Sequence, residues 1–313
     1  MQQTILGAGG PTGKAVATAL KNMNKSVRLV SRQPLTTQEG QEWMKADLAV
    51  LDDVMNAVAG SEVAYLTIGF PYTTKVWQAY WPLVMKNVTA ACLHHGVRLV
   101  FFDNIYALSP DHLNPITESA PIQPCSKKGA IRAEVIQILM EATEKKGLNG
   151  LIARSADFLT LEENKGMTKP LVYDRLKKHK QAQWLCNAHV AHNFSYLPDL
   201  GKGTALLGNT PEAFQQIWNL PTDPTPLTGA EWIRLFAEEM EAKDGYTIIS
   251  KGMIKFLGIF VPYMRELVEM LYQYDRDYFF DSSKFNSYFK YIPTTPREAI
   301  QQMLREIEYP SIK

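Results

Sequence analysis

The 313-residue sequence is poor in cysteine and has almost no net charge, and each absence excludes a class of protein. Its three cysteines, Cys92, Cys125 and Cys186, lie far apart and form no Cys-x-x-Cys pair. A disulfide framework is therefore not expected, and a reducing, cytoplasmic location suits this usage. Lys and Arg number 33 against 32 Asp and Glu, which gives a net charge of +1. We therefore expect neither nucleic acid nor an acidic membrane surface as a partner.

Long apolar runs are also missing. The most apolar stretch, residues 253–264, is interrupted by Lys255 and Pro262 and is too short to span a bilayer, so it predicts a core helix or an apolar lid. A strand pattern begins at once at the N-terminus, which leaves no room for a signal peptide. The chain has no internal repeat, and its length allows one large or two modest domains.

What the sequence does contain is a glycine-rich turn between a strand pattern and a helix pattern. Residues 4–6 (TIL) predict the end of a buried strand, residues 7–13 (GAGGPTG) predict the turn, and residues 14–20 predict a helix. A second strand pattern, residues 27–30, ends at Ser31-Arg32. Together these segments form one βαβ unit of the expected length.

Three glycines of this turn suit the binding of a diphosphate. Gly7 permits a sharp turn out of the strand, Gly10 lets a pyrophosphate approach the backbone, and Gly13 lets the helix pack closely on the sheet. The helix start adds N–H groups and the positive end of the helix dipole. The alternative is an ordinary turn between a strand and a helix, and the flanking patterns argue against it.

Strand and helix patterns keep alternating through the first half of the chain. Further strands are predicted at residues 63–69, 97–102 and 148–153, and long helices at residues 74–95 and 129–146. A glycine follows each of the two helix patterns, as expected of a C-cap. This alternation predicts an α/β fold with a doubly wound parallel sheet, on which ligands bind at the carboxyl ends of the strands.

The second half of the chain predicts a smaller, mostly helical C-terminal domain. Residues 194–199 and 216–220 have the pattern of two more strands returning to the sheet. Thr228 and Thr295 each begin a capping box. We expect a cofactor-binding domain of residues 1–158 plus 190–222, and a substrate-capping domain of residues 159–189 plus 223–313.

Taken together, these segments resemble the short-chain dehydrogenase/reductase superfamily in its extended and atypical branches. Those branches include NAD(P)-dependent epimerase/dehydratase-like and isoflavone-reductase-like proteins. The matching motifs are Gly7-x-x-Gly10-x-x-Gly13, Ala46-Asp47-Leu48, Gly69, residues 154–158 (RSADF), residues 196–199 (YLPD), residues 281–285 and residues 293–296. The resemblance spans essentially the whole chain and implies a Rossmann-type fold with a nicotinamide dinucleotide as cofactor.

The resemblance also implies which residues hold the cofactor. They are Gly7, Gly10, Pro11, Thr12, Gly13, Ser31, Arg32, Asp47, Leu48, Thr67, Gly69, Lys128, Ser155 and Phe158. NAD-preferring sites usually end the second strand with an acid that binds the ribose 2′-hydroxyl. Here no acid follows Arg32 until Glu39, and a guanidinium can grip a 2′-phosphate. We therefore expect NADP(H) in preference to NAD(H).

The usual catalytic residues of this superfamily are a serine and a Tyr-x-x-x-Lys pair, and this chain departs from both. Asn104 stands in the place of the serine, Ser126 in that of the tyrosine and Ala130 in that of the lysine. A serine hydroxyl is a much poorer proton donor than a phenol. Ordinary short-chain dehydrogenase chemistry is therefore not expected, although Asn104 remains a candidate site residue.

One replacement for the missing pair is visible. Lys128-x-x-x-Arg132 resembles a motif of isoflavone-reductase-like enzymes, in which the lysine is thought to serve proton transfer or hold the nicotinamide ribose. Lys128 is therefore the catalytic candidate, with Lys127 as the other possibility and a solvated helix start as the alternative for both. Tyr106 is a second candidate proton donor, or else a packed loop tyrosine.

Two further groups of polar residues are given structural interpretations. His189 and His192 are three apart, but no third ligand has matching spacing, so no metal site is expected. Asp281 and Lys284 are interpreted as a helix cap and a surface charge.

Two functions fit these features. The first is an NADP(H)-dependent oxidoreductase or epimerase/dehydratase-like enzyme that acts on a small organic substrate by hydride transfer. The alternative is a catalytically silent NADP(H)-binding regulator or redox sensor, which the loss of the tyrosine favours. A nucleotide-sugar enzyme is a weaker third possibility, because its Tyr-x-x-x-Lys is absent. We expect a monomer or a homodimer.

Overall fold

The computed structural model describes residues 1–162 and 166–308. Its strands are β1 (Gln2–Leu6), β2 (Ser26–Ser31), β3 (Gln41–Lys45), β4 (Ser61–Leu66), β5 (Arg98–Asp103), β6 (Gly150–Arg154), β7 (Asp157–Leu159), β8 (Ala182–Leu185), β9 (Phe194–Tyr196), β10 (Ile217–Asn219) and β11 (Tyr246–Ile249). Its helices are α1 (Pro11–Asn22), α2 (Leu51–Val58), α3 (Thr74–His95), α4 (Lys127–Lys146), α5 (Asp174–Leu176), α6 (Leu197–Gly208), α7 (Gly229–Glu239), α8 (Lys251–Leu257), α9 (Pro262–Leu267), α10 (Ser283–Phe289) and α11 (Pro296–Glu308). None of the helices in these residues is both long and apolar enough to cross a membrane.

A seven-stranded parallel sheet forms the centre of the first unit. Its strand order is β10-β6-β5-β4-β1-β2-β3, and every neighbouring pair is parallel. The order reverses between β1 and β4, which is the switch point where ligands bind on doubly wound sheets. The predicted α/β fold with a Rossmann-type doubly wound parallel sheet is therefore confirmed.

The bounds of the two long helices of this unit agree closely with those predicted from the sequence. Helix α3 has the predicted bounds and continues through Pro82, which lies inside it. Gly96 ends α3 with φ 66°, and Gly147 ends α4 with φ 77°. Both values lie in the left-handed region, where glycine has no Cβ penalty, so each glycine terminates its helix as expected.

The prediction of a strand over residues 194–199 is wrong in its second half and in its pairing. Only β9 is extended, and it pairs with β7 rather than with the seven-stranded sheet. From Leu197 the chain is helical, as α6, in spite of Pro198 and three glycines. One of them, Gly201, is needed because a Cβ there would lie 2.5 Å from the backbone carbonyl carbon of Ala15 in α1. Close helix packing, which a local pattern does not reveal, decides this segment.

The structure divides into two compact units. The first comprises residues 1–108, 122–155 and 197–220, and the second comprises residues 109–121, 156–196 and 221–313, described to residue 308. The predicted domains differ at residues 109–121, 156–158, 190–196 and 221–222, which all lie in the second unit. One reason is that β7 pairs with β9, so neither strand joins the large sheet.

The second unit is mostly helical, as predicted. It holds two small parallel sheets, β7–β9 and β8–β11, and helices α5 and α7 to α11. Its core combines aliphatic and aromatic residues, with Trp184, Phe194, Trp232 and Phe236 all buried. Both predicted capping boxes are present, at Thr228 with Glu231 and at Thr295 with Glu298.

Candidate functional site

The turn between β1 and α1 has the tight geometry predicted for Gly7. This residue has φ +98°, and a Cβ on it would lie 2.6 Å from the Cα of Ile68. The N–H groups of Gly7 and Ala8 both donate to the carbonyl of Val30, at 3.1 and 3.0 Å. The turn is thereby held against the carboxyl end of β2, and only glycine fits at its first position.

Gly13 and Gly10 differ in what surrounds them. A Cβ on Gly13 would lie 2.7 Å from the Cα of Ala8, so the helix start packs against the turn itself rather than on the sheet. A Cβ on Gly10 would meet nothing closer than the Gly7 carbonyl oxygen, at 3.6 Å. Gly10 is therefore open on its outer face, and so is Gly9, where a Cβ would meet only Leu35 Cδ2 at 3.7 Å.

The first turn of α1 supplies the hydrogen-bond donors for such a ligand. Gly10 is the N-cap and makes no side-chain cap, and Pro11 has no N–H to satisfy. The intrahelical bonding starts with the Lys14 N–H, which donates to the Gly10 carbonyl at 3.0 Å. The amides of Thr12 and Gly13 precede that bond, at the positive end of the helix dipole. An open glycine face beside an uncapped helix start fits a diphosphate.

The ends of β2 and β3 place four more predicted residues at the same sheet edge. The Ser31 hydroxyl accepts a hydrogen bond from Trp43 Nε1 at 3.0 Å, whereas the Arg32 side chain is exposed. Asp47 closes a turn by accepting from the Ala49 N–H at 3.0 Å. The Leu48 carbonyl accepts from Asn87 Nδ2 at 3.0 Å. Sequence reasoning missed Trp43 and Asn87, since nothing local to them marks a contact with this edge.

Thr67 and Gly69 follow β4, which ends three residues earlier than the predicted strand. The Thr67 N–H donates to the Leu6 carbonyl at 2.9 Å, and its hydroxyl donates to the same oxygen at 3.4 Å. Gly69 is exposed, and nothing lies within 4 Å of where its Cβ would stand. Both residues therefore lie beside the β1–α1 turn, at the switch point of the sheet.

Lys128 is fully buried, with 0% of its surface exposed, whereas Lys127 is exposed. Its Nζ lies 3.4 Å from Thr74 Oγ1 and 4.6 Å from the ring centre of Tyr72. The alternative of a solvated helix start is therefore wrong for Lys128. Lys128 is therefore the lysine of this pair that is buried beside a hydroxyl and an aromatic face.

Ser126 and Ala130, which occupy the usual tyrosine and lysine positions, serve other purposes. The Ser126 hydroxyl caps α4 by accepting from the Gly129 N–H at 3.0 Å. Ala130 is exposed. Neither residue supplies an acid to this site, as the sequence indicated.

Arg132 explains the second half of the Lys-x-x-x-Arg motif. Its Nε donates to Asp103 Oδ1 at 2.9 Å, a second guanidinium N–H donates to the same oxygen, and both side chains are buried. The guanidinium also lies over the rings of Trp81 and Phe101, 4.1 and 4.7 Å from their centres. The ion pair joins α4 to the carboxyl end of β5 and thereby fixes the helix turn that carries Lys128.

Asp103 has a second contact that involves a predicted residue. Its carbonyl accepts hydrogen bonds from both the N–H and the hydroxyl of Ser155, at 3.0 and 3.3 Å. Ser155 is thus buried at the ends of β5 and β6. Asp103 lies at a strand end where ligands were expected, but no role was predicted for it, although a carboxylate that ends an otherwise apolar strand pattern was a usable signal.

Tyr106 belongs to a group of aromatic side chains near Lys128, and Asn104 is hydrogen-bonded to it. The Asn104 carboxamide accepts from the Tyr106 N–H at 3.0 Å, so it shapes the loop after β5. The Tyr106 ring stacks on Trp77 with centres 6.1 Å apart, and Trp77 meets Tyr72 edge-on at 5.7 Å. Tyr72 and Trp77 were not singled out from the sequence, because the fold alone brings them to Lys128.

Three residues that the sequence analysis considered for a site, Phe158, His189 and His192, lie in the second unit. Phe158 is in β7, and its predicted cofactor contact stays a prediction. The histidines do not form a metal pair on a helix, since His192 lies in an extended segment and its ring contacts Asp157 Oδ2 at 3.1 Å and the Gln273 carbonyl at 3.2 Å. No cluster of three or more metal-ligating side chains occurs within residues 1–162 and 166–308.

The interpretations of Asp281 as a helix cap and of Lys284 as a surface charge have different outcomes. Asp281 Oδ1 accepts from the Ser283 N–H at 2.8 Å, as a cap at the start of α10 does. Lys284 is half-buried rather than on the surface. Burial lowers the pKa of its ammonium, and the Glu118 carboxylate partly offsets that effect.

No family model matches the sequence, and no curated protein matches it. Solved structures do match. A UDP-N-acetylglucosamine 4-epimerase from Bacillus cereus is 17% identical, with a TM-score of 0.75 over 97% of this chain and 98% of that one. A short-chain dehydrogenase/reductase superfamily protein from Agrobacterium tumefaciens with bound NAD is 15% identical, with a TM-score of 0.77 over 99% of both chains. A Thermus thermophilus UDP-glucose 4-epimerase in complex with NAD is 15% identical, with a TM-score of 0.76 over 98% of this chain and 99% of that one.

These similarities cover nearly the full length of both chains in each comparison. They confirm the predicted resemblance at the level of the fold, which is the fold of the extended short-chain dehydrogenase/reductases and sugar epimerases.

Proposed function

We propose that this protein is an extended short-chain dehydrogenase/reductase-type enzyme, an oxidoreductase or epimerase/dehydratase, that binds a nicotinamide dinucleotide and acts on a small organic substrate. One observation carries the proposal. The sheet edge with the open Gly10 turn belongs to the same unit as the fully buried lysine, Lys128. A diphosphate cradle and a desolvated proton carrier are the two parts that such an enzyme needs.

The residues around the switch point fit the cofactor. Gly10 and the uncapped start of α1 would hold the diphosphate, and Thr67 and Gly69 lie beside them after β4. Asp47 and Leu48 lie in the turn that follows β3. When bound, the dinucleotide would supply or accept the hydride. The solved neighbours from Agrobacterium tumefaciens and Thermus thermophilus are described with NAD, which supports this class of cofactor.

Within that class we propose NADP(H) in preference to NAD(H). Arg32 is exposed directly after β2, and no acid follows it before Glu39. A guanidinium there would bind a 2′-phosphate through charge-assisted hydrogen bonds worth about 1.5–3 kcal/mol, or roughly ten- to hundredfold in affinity. The neighbours described with NAD are only 15% identical to this chain, so their cofactor does not fix the choice here.

Lys128 is the proposed proton carrier. The Thr74 hydroxyl and the Tyr72 ring hold its Nζ in place, and the Arg132–Asp103 ion pair fixes the helix from which it projects. From that position Nζ would give a proton to a substrate oxygen, or take one from it, as hydride moves at the neighbouring carbon. Tyr106, stacked on Trp77, is the second candidate for this proton.

A silent NADP(H)-binding regulator is the second candidate function. It is favoured by the capping role of Ser126 and the exposure of Ala130, which leave the usual catalytic pair absent. The two functions differ in one measurement. The purified protein is titrated with NADPH by fluorescence and then incubated with a panel of carbonyl and enone compounds while the absorbance of NADPH is followed. Oxidation that depends on one compound supports the enzyme, and tight binding without oxidation supports the regulator.

Failure to bind either NADPH or NADH would contradict both functions. A nucleotide-sugar substrate belongs in the same panel, because the similar epimerases are described as acting on UDP-sugars.

A further inference from the structure

Helices α8 and α9 of the second unit form a hairpin that exposes apolar side chains to solvent. Those side chains, called here the α8–α9 tip, are Met253, Phe256, Ile259, Phe260 and Val261, with exposed fractions of 51, 62, 70, 70 and 41%. Of the two alternatives predicted for residues 253–264, the core helix is therefore wrong for most of the stretch, in which Ile254 is the fully buried apolar side chain, and the apolar lid stays a prediction. The exposure is highest at Ile259 and Phe260, in the turn between the helices.

The hairpin is well packed from beneath, so its exposure does not come from a loose segment. Ile254 is fully buried and packs in one cluster with Leu185, Leu267, Leu271 and Tyr274. The two helices also approach closely at the turn, where a Cβ on Gly258 would lie 3.0 Å from the Cα of Arg265. The tip is a fixed apolar surface on an ordered base.

The backbone of the tip is internally satisfied. The N–H groups of Gly258 and Val261 donate to the carbonyls of Ile254 and Leu257, each at 2.8 Å. Those of Ile259 and Phe260 donate to Phe256 and Leu257, at 3.2 and 3.0 Å. Bonds of this kind also close helix ends that lie in water. In a lipid environment they are required, because an unpaired N–H there is costly.

Basic side chains flank the tip on both helices, and α9 also carries Glu266. Residues 245–265 contain Lys251, Lys255 and Arg265 and no acidic residue. Lys251 is paired with Asp275, while Lys255 and Arg265 are exposed and form no ion pair within the described residues. Acidic groups lie at the edge of the tip rather than in it. They are Asp157, whose charge adds to burial in raising the pKa of Tyr263, and the half-buried Glu266 and Glu269.

We propose that the α8–α9 tip docks on the surface of a bilayer that contains anionic lipid, a partner that the net charge of +1 argued against and that only the local surface favours. Ile259 and Phe260 would enter the boundary between headgroups and acyl chains, and Lys255 and Arg265 would contact the headgroups. Apolar side chains flanked by cations, on a backbone with its N–H groups satisfied, suit that occupant. A second copy of the chain would instead need a self-complementary surface of substantial area, and the tip offers five apolar side chains.

The test is co-sedimentation of the full-length protein with vesicles of mixed phosphatidylcholine and phosphatidylserine, compared with phosphatidylcholine alone. The wild type is expected to bind the anionic vesicles, and to bind them less as salt is raised. The double variant I259S/F260S should lose about tenfold or more in binding. The double variant K255E/R265E should lose at least about fivefold for each charge changed.

The matched control is Ile292→Ser, which removes an apolar side chain that is 90% exposed outside the tip. It should bind vesicles as the wild type does, and all variants should keep wild-type NADPH affinity and thermal unfolding. The proposal is overturned if the wild type fails to bind anionic vesicles, or if I259S/F260S binds as well as the control. It is also overturned if the wild type forms a dimer in gel filtration that only I259S/F260S abolishes, since a second copy would then cover the tip.

Discussion

Among single side chains, Lys128 carries the sharpest prediction. Lys128→Ala should lower turnover by about 10²–10⁴, the usual contribution of a positioned proton donor, while NADPH affinity falls much less. Lys127→Ala is the matched control and should change little, because Lys127 is exposed. Steady-state kinetics with any substrate found in the panel, together with NADPH titration, measures both quantities.

Two outcomes would contradict this assignment of Lys128. Near-normal turnover in Lys128→Ala would move the proton transfer to Tyr106, which then becomes the residue to replace by Phe. Loss of NADPH binding as complete as the loss of activity would make Lys128 an anchor for the cofactor, and the regulator would gain support.

Arg32 carries the prediction about the choice of cofactor. Wild-type protein should bind NADPH more tightly than NADH, and Arg32→Ala should weaken NADPH binding by roughly ten- to hundredfold through the lost charge-assisted hydrogen bonds. Affinity for NADH, which lacks the 2′-phosphate, should stay nearly unchanged. Fluorescence titration of both cofactors against both proteins decides the matter, and equal wild-type affinities would exclude the preference.

At the turn between β1 and α1, we expect a substitution of Gly10 to affect cofactor binding without affecting folding. Gly10→Val should abolish NADPH binding, because the added methyl groups would fill the space left for the diphosphate, while the circular dichroism spectrum stays that of the wild type. Gly7→Val should instead lose the fold, since φ is +98° and a Cβ would lie 2.6 Å from Ile68. Unchanged NADPH affinity in Gly10→Val would refute the assignment of the turn.

The attachment of α4 to β5 rests on the buried Arg132–Asp103 ion pair. Asp103→Asn should lower the free energy of unfolding by about 3–5 kcal/mol, because it leaves the buried guanidinium without its counter-charge. The control is Glu42→Gln, which breaks the more exposed Arg28–Glu42 pair and should cost no more than about 1 kcal/mol. Urea unfolding measures both, and equal effects would show that Arg132 does not depend on Asp103.

For the chain as a whole, we expect cofactor binding to raise the free energy of unfolding. A ligand at a hundred times its Kd stabilises the folded state by about 2.7 kcal/mol, which corresponds to a rise of several degrees in Tm for a chain of this size. Differential scanning fluorimetry with and without NADPH measures the shift. Gly10→Val should show none, and a wild-type Tm indifferent to both NADPH and NADH would argue against a dinucleotide site.

How far the sequence predicts this structure depends on the range of the interactions involved. The bounds of α3 follow from contacts within the helix and from Gly96 at its end, so a local pattern suffices. The burial of Lys128 does not follow from a local pattern. Adjacent helical residues point about 100° apart, and only the packing of α4 shows which of Lys127 and Lys128 faces the interior. Trp77 and Tyr72 reach Lys128 for the same reason, across a separation in sequence that no local pattern spans.

The sequence by itself determined the class of fold, the tight turn at Gly7 and the absence of the usual Tyr-x-x-x-Lys pair, because each depends on residue type and local spacing. Tertiary structure alone decided that Lys128 is buried, that Arg132 pairs with Asp103, and that β9 leaves the large sheet. It also decided that residues 253–264 face solvent rather than a core. Burial and pairing depend on which distant surfaces meet, and that is a property of the packed chain rather than of any segment.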